Sequence, residues 1–310
     1  MAEVKEVNNE GRQPQTPSSK SQKEQTIAIY ILVIAAALVG GYYLAQALIP
    51  TPKIGIINMQ SQVGSVLVDI MSREIDYARK ADDIKAVVLI INSPGGGAAA
   101  GHDIYYQVRK LRDAKPVIAS MDGLAASAAY QIGVAANEIY AKPASLIGNV
   151  GVVAGQPQPE VISEQFVTTG PFKTTGWSPT SFLQKLDLLY ADFRDSVVVE
   201  RTNAPNPLKL SPLEVATGEL RVGVEAKEYG LVDEIGSVLD AIDRAAELAN
   251  VDNYEVVQVQ DEYLASLEGS VAQYKSALEL YEQLDSQPEF DLNSEQVEWP
   301  TFYQIYIPLE

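Results

Sequence analysis

The distribution of apolar and polar positions first separates an N-terminal tail from a long apolar segment. Residues 1–25 are polar without apolar periodicity, which predicts a disordered tail. The segment Thr26–Ile49 is apolar and uncharged. As a helix rising ~1.5 Å per residue it would span ~36 Å, enough for the ~30 Å core of a bilayer. A buried core helix or a cleaved signal peptide fits this length and position less well, so the pattern predicts a transmembrane anchor over 26–49.

The charges around this segment indicate an orientation. Lys20 and Lys23 precede it, whereas Glu24 and Lys53 weaken the asymmetry. The excess of basic residues on the cytoplasmic side of membrane helices favours a cytoplasmic N-terminus. We therefore expect a single-pass protein of the cell membrane with its main domain on the outer side.

From residue 53 the pattern changes to alternating short strands and helices. Ile84–Asn92 is almost wholly apolar and rich in β-branched residues, as expected of a strand buried on both faces. Such alternation predicts an α/β domain over 53–250, with a mainly parallel sheet covered by helices. The predicted strands are 53–58, 84–92, 116–121, 138–141, 231–232 and 254–259, and the main predicted helices are 65–80, 101–111, 125–136, 181–201 and 238–249.

Residues 251–310 differ in character from the domain before them. They contain 13 acidic residues and one lysine, a helical pattern over Glu262–Leu284, and an aromatic, apolar end. We interpret 251–310 as an acidic C-terminal appendage and tail.

Composition excludes several classes of function. The net charge of −18 makes a nucleic acid an unexpected partner, because phosphate-binding surfaces need clustered Lys and Arg. The absence of cysteine excludes disulfides, thiolate nucleophiles and zinc–cysteine sites. With His102 as the single histidine, most histidine-rich metal sites are excluded, and a Ser-His-Asp triad would have to use that residue.

A glycine-rich turn, Asn92–Gly97, directly follows the buried strand. Backbone N–H groups at the carboxyl end of such a strand can hold a phosphate or an oxyanion. A phosphate loop would end in Gly-Lys-Ser/Thr, whereas Gly101 is followed by His102 and Asp103. Nucleotide binding is therefore not expected, and the turn is interpreted either as an oxyanion-binding loop or as a plain tight turn.

Ser127 lies among small residues where a strand leads into a predicted helix. A serine at a helix start is usually an N-cap, but small neighbours would also leave it accessible as a nucleophile. The positive end of the helix would favour developing negative charge, and the N–H of Ala128 would point towards an attacked carbonyl.

A serine nucleophile needs a proton acceptor. His102 lacks an obvious acidic partner other than Asp103, which favours a capping or surface role, so a lysine or a carboxylate remains. A lysine acts as a base only when neutral, which requires a pKa about 3 units below ~10.4. Lys173 is the favoured lysine, because Phe172 and Trp177 could shield it from water.

The series of motifs resembles the protease IV / signal peptide peptidase A family over roughly residues 53–250. The resemblance rests on INSPGGG (91–97), AASAAY (125–130), ANEIYAKPASLIGNVGVV (136–153), GPFK (170–173) and LRVGVEAKEYGLVDEIG (220–236). It implies a Clp protease/crotonase-like fold, an α/β superhelix of ββα units with a mainly parallel sheet, here preceded by one transmembrane helix.

The resemblance also implies roles for individual residues. Ser127 and Lys173 would form a Ser-Lys dyad, and the N–H groups of Gly96 and Ala128 would form the oxyanion hole. Asn149 stands where the family has a hydroxyl residue that positions the lysine. Ala128–Ala129 replaces the usual Gly-Gly after the serine, which would narrow the space around the nucleophile. Short members of the family form ring- or dome-shaped homo-oligomers, in which neighbouring protomers can share one site.

The expected function is therefore a membrane-anchored, ATP-independent serine endopeptidase that cleaves signal peptides or other apolar, membrane-associated peptides. No cofactor, metal or nucleotide is expected. The alternatives are a membrane peptidase that partners stomatin-like proteins, a crotonase-type acyl-CoA enzyme, and an inactive homologue acting as a membrane scaffold. We also hypothesise that the apolar C-terminal tail lies near the opening of the active site.

Overall fold

The computed structural model describes residues 19–48, 51–155, 169–173, 175–267 and 303–305, and it divides into two compact units, Met1–Pro50 and Thr51–Glu310. The first unit contains one helix, α1 (Ser19–Leu48), which begins inside the predicted polar tail. Its stretch Thr26–Leu44 has a mean hydropathy of 2.2 and is exposed throughout. Among the described residues, this is the one helix that is long and apolar enough to cross a membrane.

The second unit is built on an eight-stranded, mostly parallel sheet. Its main path has the order β7-β6-β4-β2-β1-β9, with β5 pairing to both β4 and β8. Only the pair β6–β7 is antiparallel among the described strands of this sheet. A separate antiparallel pair joins β3 to β10. The strands are β1 (Lys53–Met59), β2 (Ile84–Ser93), β3 (Gly95–Gly97), β4 (Val117–Ala126), β5 (Glu138–Ala141), β6 (Leu146–Gly148), β7 (Leu220–Val222), β8 (Glu234–Ile235), β9 (Glu255–Gln258) and β10 (Tyr303–Ile305).

Helices cover both faces of this sheet, which explains the apolar run of the central strand. Val87 and Leu89 face the layer that contains α2 to α5, whereas Ala86 and Val88 pack against α8. Each fully buried side chain of this kind stabilises the fold by about 1.5–3 kcal/mol. The helices are α2 (Ser65–Lys80), α3 (Ala98–Arg112), α4 (Ala128–Gly133), α5 (Pro179–Thr202), α6 (Pro212–Val215), α7 (Gly223–Glu228), α8 (Val238–Ala249) and α9 (Val259–Ser266).

Most predicted elements are confirmed, and two predictions are wrong. The predicted helix 125–136 is shorter, because β4 continues to Ala126 by pairing with β6 and only Ala128–Gly133 is helical. The predicted strand 231–232 lies instead at Glu234–Ile235, because the N–H groups of Leu231 and Val232 both point to the carbonyl oxygen of Ala226. The helical pattern over 262–284 is helical to Ser266, and its remainder beyond 267 lies outside the described residues.

Strand β9 follows the predicted domain boundary at residue 250. It pairs in parallel with β1, and the Val259 side chain after it is fully buried. Strand β9 is therefore part of the mostly parallel, helix-covered sheet that alternating strands and helices predict.

Candidate active site

The pairing of β2 with β4 brings the glycine turn beside Ser127. The two strands are parallel, and Ser93 at the end of β2 lies opposite Ala125 near the end of β4. The glycines of β3 follow Ser93 after a single proline, and Ser127 follows Ala126 directly. The two motifs singled out in the sequence therefore meet at the carboxyl edge of the sheet, where open α/β sheets bind ligands.

Buried hydrogen bonds fix the glycine turn. The Ser93 hydroxyl donates to the carbonyl oxygen of Ser61, and the N–H of Gly95 donates to Ser93 Oγ at 3.2 Å. Gly95 has a φ of 96°, which residues other than glycine rarely adopt. Ser93 thus holds the turn in place, a role that the sequence analysis did not assign.

Gly96 is required because another backbone segment passes against it. A Cβ added at Gly96 would lie 2.1 Å from the carbonyl oxygen of Val63. Val63 donates its N–H to the Gly95 oxygen at 2.7 Å and accepts the Gly97 N–H at 2.8 Å. Because strand backbone groups alternate in direction, the N–H of Gly96 faces the opposite edge of β3.

The backbone of Ser127 has a strained conformation. Its φ of 55° and ψ of −127° lie outside the regions open to ordinary L-residues. Such a conformation costs about 1–3 kcal/mol and persists only where surrounding contacts enforce it. Here the Ser127 N–H donates to the Gly148 oxygen at 2.8 Å, and the Ser127 oxygen accepts from Gln131 at 3.0 Å.

The hydroxyl of Ser127 does not cap the helix. Ser127 occupies the N-cap position of α4, but its side chain makes no capping hydrogen bond. Its Oγ is buried and has no hydrogen-bond partner among the described residues. Buried hydroxyls are normally paired, so an unpaired one held on a strained backbone is typical of a reactive group rather than of a structural one.

Ala128 is the first residue of α4, so its N–H has no acceptor within the helix. The side chains of Ala128 and Ala129 are fully buried in the main hydrophobic core. Tyr130 is also buried there; its hydroxyl donates to the Leu231 oxygen at 2.7 Å, and burial raises its pKa. The helix that follows Ser127 is thus tightly packed in the core. Its first N–H lies at the same carboxyl edge of the sheet as Gly96.

Asn149 lies next to the residue that holds Ser127. It directly follows Gly148, has a φ of 52°, and donates its side-chain amide to the Gly218 oxygen at 2.7 Å. Asparagine tolerates this left-handed conformation better than most residues. Because the amide nitrogen is engaged by Gly218, the Oδ1 atom of Asn149 is the group that could accept a hydrogen bond from a cation.

Lys173 lies in an exposed turn and is not hydrogen-bonded to Ser127. The turn is closed by the N–H of Lys173 to the Gly170 oxygen at 3.4 Å and by the N–H of Gly176 to the Phe172 oxygen at 2.8 Å. The Phe172 side chain is 48% exposed, so it does not shield the lysine in this structure. Of the two expected dyad residues, the structure positions the serine beside the glycine turn and leaves the lysine solvated.

Other lysines have partners elsewhere. Lys142 forms an ion pair with Asp122, and Lys209 donates to the Glu228 oxygen at 2.8 Å. Burial lowers the pKa of Lys115, whose ammonium donates to two carbonyl oxygens near the end of α2. However, Lys115 precedes β4, and the ten-residue strand separates it from Ser127 by about 30 Å.

His102 has an acidic partner that the sequence analysis missed. Its Nε2 contacts the Asp192 carboxylate, and its Nδ1 lies 2.9 Å from the Ala98 oxygen. Asp192 is 90 residues away in the sequence, on α5, so no local motif indicates the pair. Both ring nitrogens face acceptors, and neither bonds to Ser127, which argues against His102 as the base for this serine.

A second missed residue is Asn92. Its Oδ1 accepts the N–H of Leu124 at 3.0 Å and would lie 2.9 Å from a Cβ added at Gly123, where φ is 143°. This contact fastens β4 to β2 where their register shifts, three residues before Ser127. No local motif indicates this contact, because it joins residues 32 positions apart in the sequence.

Two family models match the chain: peptidase family S49 over residues 109–252, and Clp protease over residues 49–147. A protein named as a protease in Methanocaldococcus jannaschii is 34% identical over 199 residues, which cover 59% of this chain and 62% of that one. Protease 4 of Salmonella typhi is 32% identical over 219 residues, which cover 67% of this chain and 35% of that one. The aligned region therefore spans less than two thirds of either relative.

Two solved structures of a membrane-bound stomatin-specific protease, 1510-N, also align with the chain. They are 17% and 16% identical, with TM-scores of 0.48 and 0.49, and the alignments cover 68% and 74% of this chain and 98% of each of those. The sheet and the two matched models define a fold of the Clp protease class. Within that class, residues 109–252 match the model of peptidase family S49, and the chain is similar to Protease 4, which indicates a serine peptidase.

Proposed function

We propose that this chain is a membrane-anchored serine endopeptidase whose nucleophile is Ser127. The observation that carries the proposal is the Ser127 hydroxyl, which is buried, unpaired among the described residues and held on a strained backbone beside the glycine turn. The match of residues 109–252 to family S49 and the similarity to an Arabidopsis thaliana protein named as a chloroplastic serine protease support the same reaction.

In the proposed reaction, Ser127 Oγ attacks the peptide carbonyl carbon and gives up its proton to a lysine. The N–H groups of Gly96 and Ala128 then hold the oxyanion of the tetrahedral intermediate. Collapse of the intermediate breaks the C–N bond, and the protonated lysine returns its proton to the leaving amine. Water attacks the resulting acyl-enzyme by the same steps and restores the serine.

Lys173 is the proposed base. A lysine base must be neutral, which requires its removal from water, whereas Lys173 is exposed in the single chain. We therefore propose that the site is completed on assembly of a homo-oligomeric ring or dome, in which the Lys173 turn of one copy covers the Ser127 site of its neighbour. Asn149 Oδ1 would then accept a hydrogen bond from the arriving ammonium.

The proposed location is the cell membrane, with α1 as a single-pass anchor and the N-terminus in the cytoplasm. The length and hydropathy of Thr26–Leu44 support this part of the proposal. An anchor of this kind would hold the peptidase domain close to apolar, membrane-associated peptides, including released signal peptides. Resistance of the protein to alkaline extraction from membranes, lost on deletion of 1–48, tests the anchor.

A second candidate function is an inactive peptidase homologue that acts as a membrane scaffold. The exposure of Lys173 and the absence of a hydrogen bond from it to Ser127 favour this candidate. The two candidates differ in whether the assembled protein hydrolyses an unfolded substrate.

The test is cleavage of casein and of a signal peptide by detergent-solubilised full-length protein, wild type beside Ser127→Ala, Lys173→Ala and the matched control Lys185→Ala. Lys185 is another exposed lysine, whose ammonium donates to Ser181. We expect loss of hydrolysis in the first two variants and wild-type hydrolysis in the control. Activity that survives Lys173→Ala would refute the assigned base, and an inert wild type would favour the scaffold.

Mixing the two inactive variants tests whether the site is shared. If Ser127 and Lys173 meet between neighbouring copies, mixed oligomers contain some intact pairs, and mixing restores part of the activity. If both residues come from one chain, every pair in the mixture lacks one partner, and no activity returns.

A further inference from the structure

We propose that His102 and Asp192 form a proton-dependent clasp that positions α5, the helix that leads away from the Lys173 turn. The proposal rests on the proposed peptidase function and adds two positioning residues to it. The His102 imidazole projects from α3, where its Nε2 contacts the Asp192 carboxylate of α5 and lies 3.3 Å from the amide nitrogen of Gln131 on α4. The single histidine of the chain thus lies where three helices meet.

The hydrogen on Nδ1 of His102 is fixed by its partner. Nδ1 lies 2.9 Å from the Ala98 carbonyl oxygen, which can only accept, so this nitrogen carries a hydrogen whether the ring is neutral or charged. Nε2 is therefore an acceptor in the neutral ring and a donor only in the protonated ring. Since a carboxylate can only accept, the contact with Asp192 requires the proton.

Gln131 supplies the alternative partner of Nε2. The Ser196 hydroxyl donates to the Phe193 oxygen at 2.7 Å, so Ser196 Oγ is left to accept a hydrogen bond. The Gln131 amide donates to that Oγ at 3.1 Å, which fixes the orientation of its NH₂ group. The second N–H of this amide can donate to His102 Nε2 only when the ring is neutral. Loss of the proton therefore transfers Nε2 from Asp192 to Gln131.

The clasp lies where α5 leaves the core of the domain. Phe193, the next residue of α5, is fully buried, whereas the turns that precede Asp192 are mostly exposed. At the start of α5 the Trp177 ring packs against Phe182, with 5.9 Å between ring centroids, and this contact links the helix to the Lys173 turn. Fixing Asp192 to α3 therefore fixes the direction in which α5 presents that turn to the neighbouring copy of the proposed oligomer.

The other charged groups on the helices around the imidazole have partners of their own. Asp103 on α3 accepts from Gln107, Asp195 on α5 pairs with Arg194, Glu200 on α5 pairs with Arg112, and Arg73 on α2 pairs with Asp69. Helix α4 faces the imidazole with the uncharged Gln131, and the ring of Tyr106 on α3 lies 6.3 Å away between centroids. Of these residue types, histidine is the one that ordinarily changes charge between about pH 5 and 8.

The expected effect on turnover is modest, because the Asp192 side chain is 54% exposed and water weakens the pair. His102→Gln keeps a polar side chain that cannot take up a proton. We expect the ratio of wild-type kcat to that of His102→Gln to be about 1 at about pH 8.5 and about two to five at about pH 5.5. Both proteins use the same proposed base, Lys173, so its own titration cancels from this ratio.

The experiment compares full-length His102→Gln and Asp192→Asn with the matched control Asp195→Asn, which changes another half-exposed carboxylate on α5. Both test variants should show the pH-dependent ratio, their combination should lose no more than either alone, and the control should stay near wild type throughout. His102→Lys, which stays charged, should match wild type at about pH 5.5 and exceed it at about pH 8.5. NMR of protein labelled at its single histidine follows the proton directly, and the kcat ratio should change over the same pH interval.

Hydrogen exchange of residues 179–192, measured in the Ser127→Ala background, separates the clasp from the peptidase function. At about pH 5.5 we expect faster exchange with His102→Gln than without it, and equal exchange at about pH 8.5. That result, with no hydrolysis by any form of the protein, would support the clasp and refute the peptidase function. Equal exchange at both pH values would overturn the clasp. In a protein that hydrolyses casein, a kcat ratio that is the same at both pH values would overturn the positioning role.

Discussion

Replacing Ser127 by glycine is expected to abolish hydrolysis and yet increase the free energy of unfolding. Serine at a φ of 55° and a ψ of −127° carries a backbone strain of about 1–3 kcal/mol, which glycine does not. The substitution also removes a buried hydroxyl without a described partner, whose burial costs about 1–3 kcal/mol. Against these gains, glycine lowers the free energy of unfolding by about 0.5–1 kcal/mol, because it makes the unfolded chain more flexible.

Ser127→Ala separates the two contributions, because it removes the hydroxyl and retains the strain. Subtracting the glycine cost from the strain leaves Ser127→Gly about 0–2.5 kcal/mol more stable than Ser127→Ala. For a domain of this size each kcal/mol corresponds to about 2–4 °C in Tm. The assay is thermal and urea unfolding of the two full-length variants in one detergent.

Ser120 provides the matched control. It is buried on β4, the strand that leads to Ser127, and has a negative φ, so Ser120→Gly should be less stable than Ser120→Ala by at least the glycine cost of about 0.5–1 kcal/mol. If Ser127→Gly is also less stable than Ser127→Ala, as expected at Ser120, the backbone at the nucleophile carries no strain and the reasoning fails.

Three further substitutions test contacts around the site. Asn92→Ala removes an exposed hydrogen bond to the N–H of Leu124, which water can replace, so we expect a loss of about 0.5–1.5 kcal/mol in denaturant unfolding and a lower kcat, whereas retained kcat would exclude Asn92 as a positioning residue. His102→Ala should lower stability by about 1 kcal/mol and keep kcat within a few-fold; loss of hydrolysis in a folded variant would reinstate the histidine as a base. Asp233→Ala leaves the buried guanidinium of Arg201 without its carboxylate, and we expect a loss of about 3–5 kcal/mol by urea unfolding, against a smaller loss when Arg201→Met is combined with it.

The strands were predictable because burial determines their composition. A strand covered on both faces needs apolar residues at every position, and Ile84–Asn92 shows this pattern without any tertiary information. The alanine-rich segment after Leu124 was assigned wrongly because alanine favours helices locally. Pairing of Ala125 and Ala126 with β6 overrides that preference.

The part of the site that was predictable is local in sequence. The serine and the glycine turn each follow a strand directly, and parallel pairing then places both at one edge. The contact between His102 and Asp192 and that between Gln304 and Gly96 join distant positions, and no spacing rule indicates them. Whether Lys173 is shielded from water depends on what packs against its turn, which local composition does not determine.

The two alanines after the nucleophile raised the question of whether their methyl groups narrow the substrate site. Both side chains are fully buried in the main core, so the methyl groups fill space behind the serine rather than in front of it. We therefore expect Ala129→Gly to leave KM unchanged and to lower the free energy of unfolding by about 1–2 kcal/mol, the sum of a helix-interior glycine and one lost buried methyl group. Steady-state kinetics on casein and urea unfolding measure the two effects. A severalfold increase in kcat/KM in Ala129→Gly would instead show that the methyl group restricts the substrate.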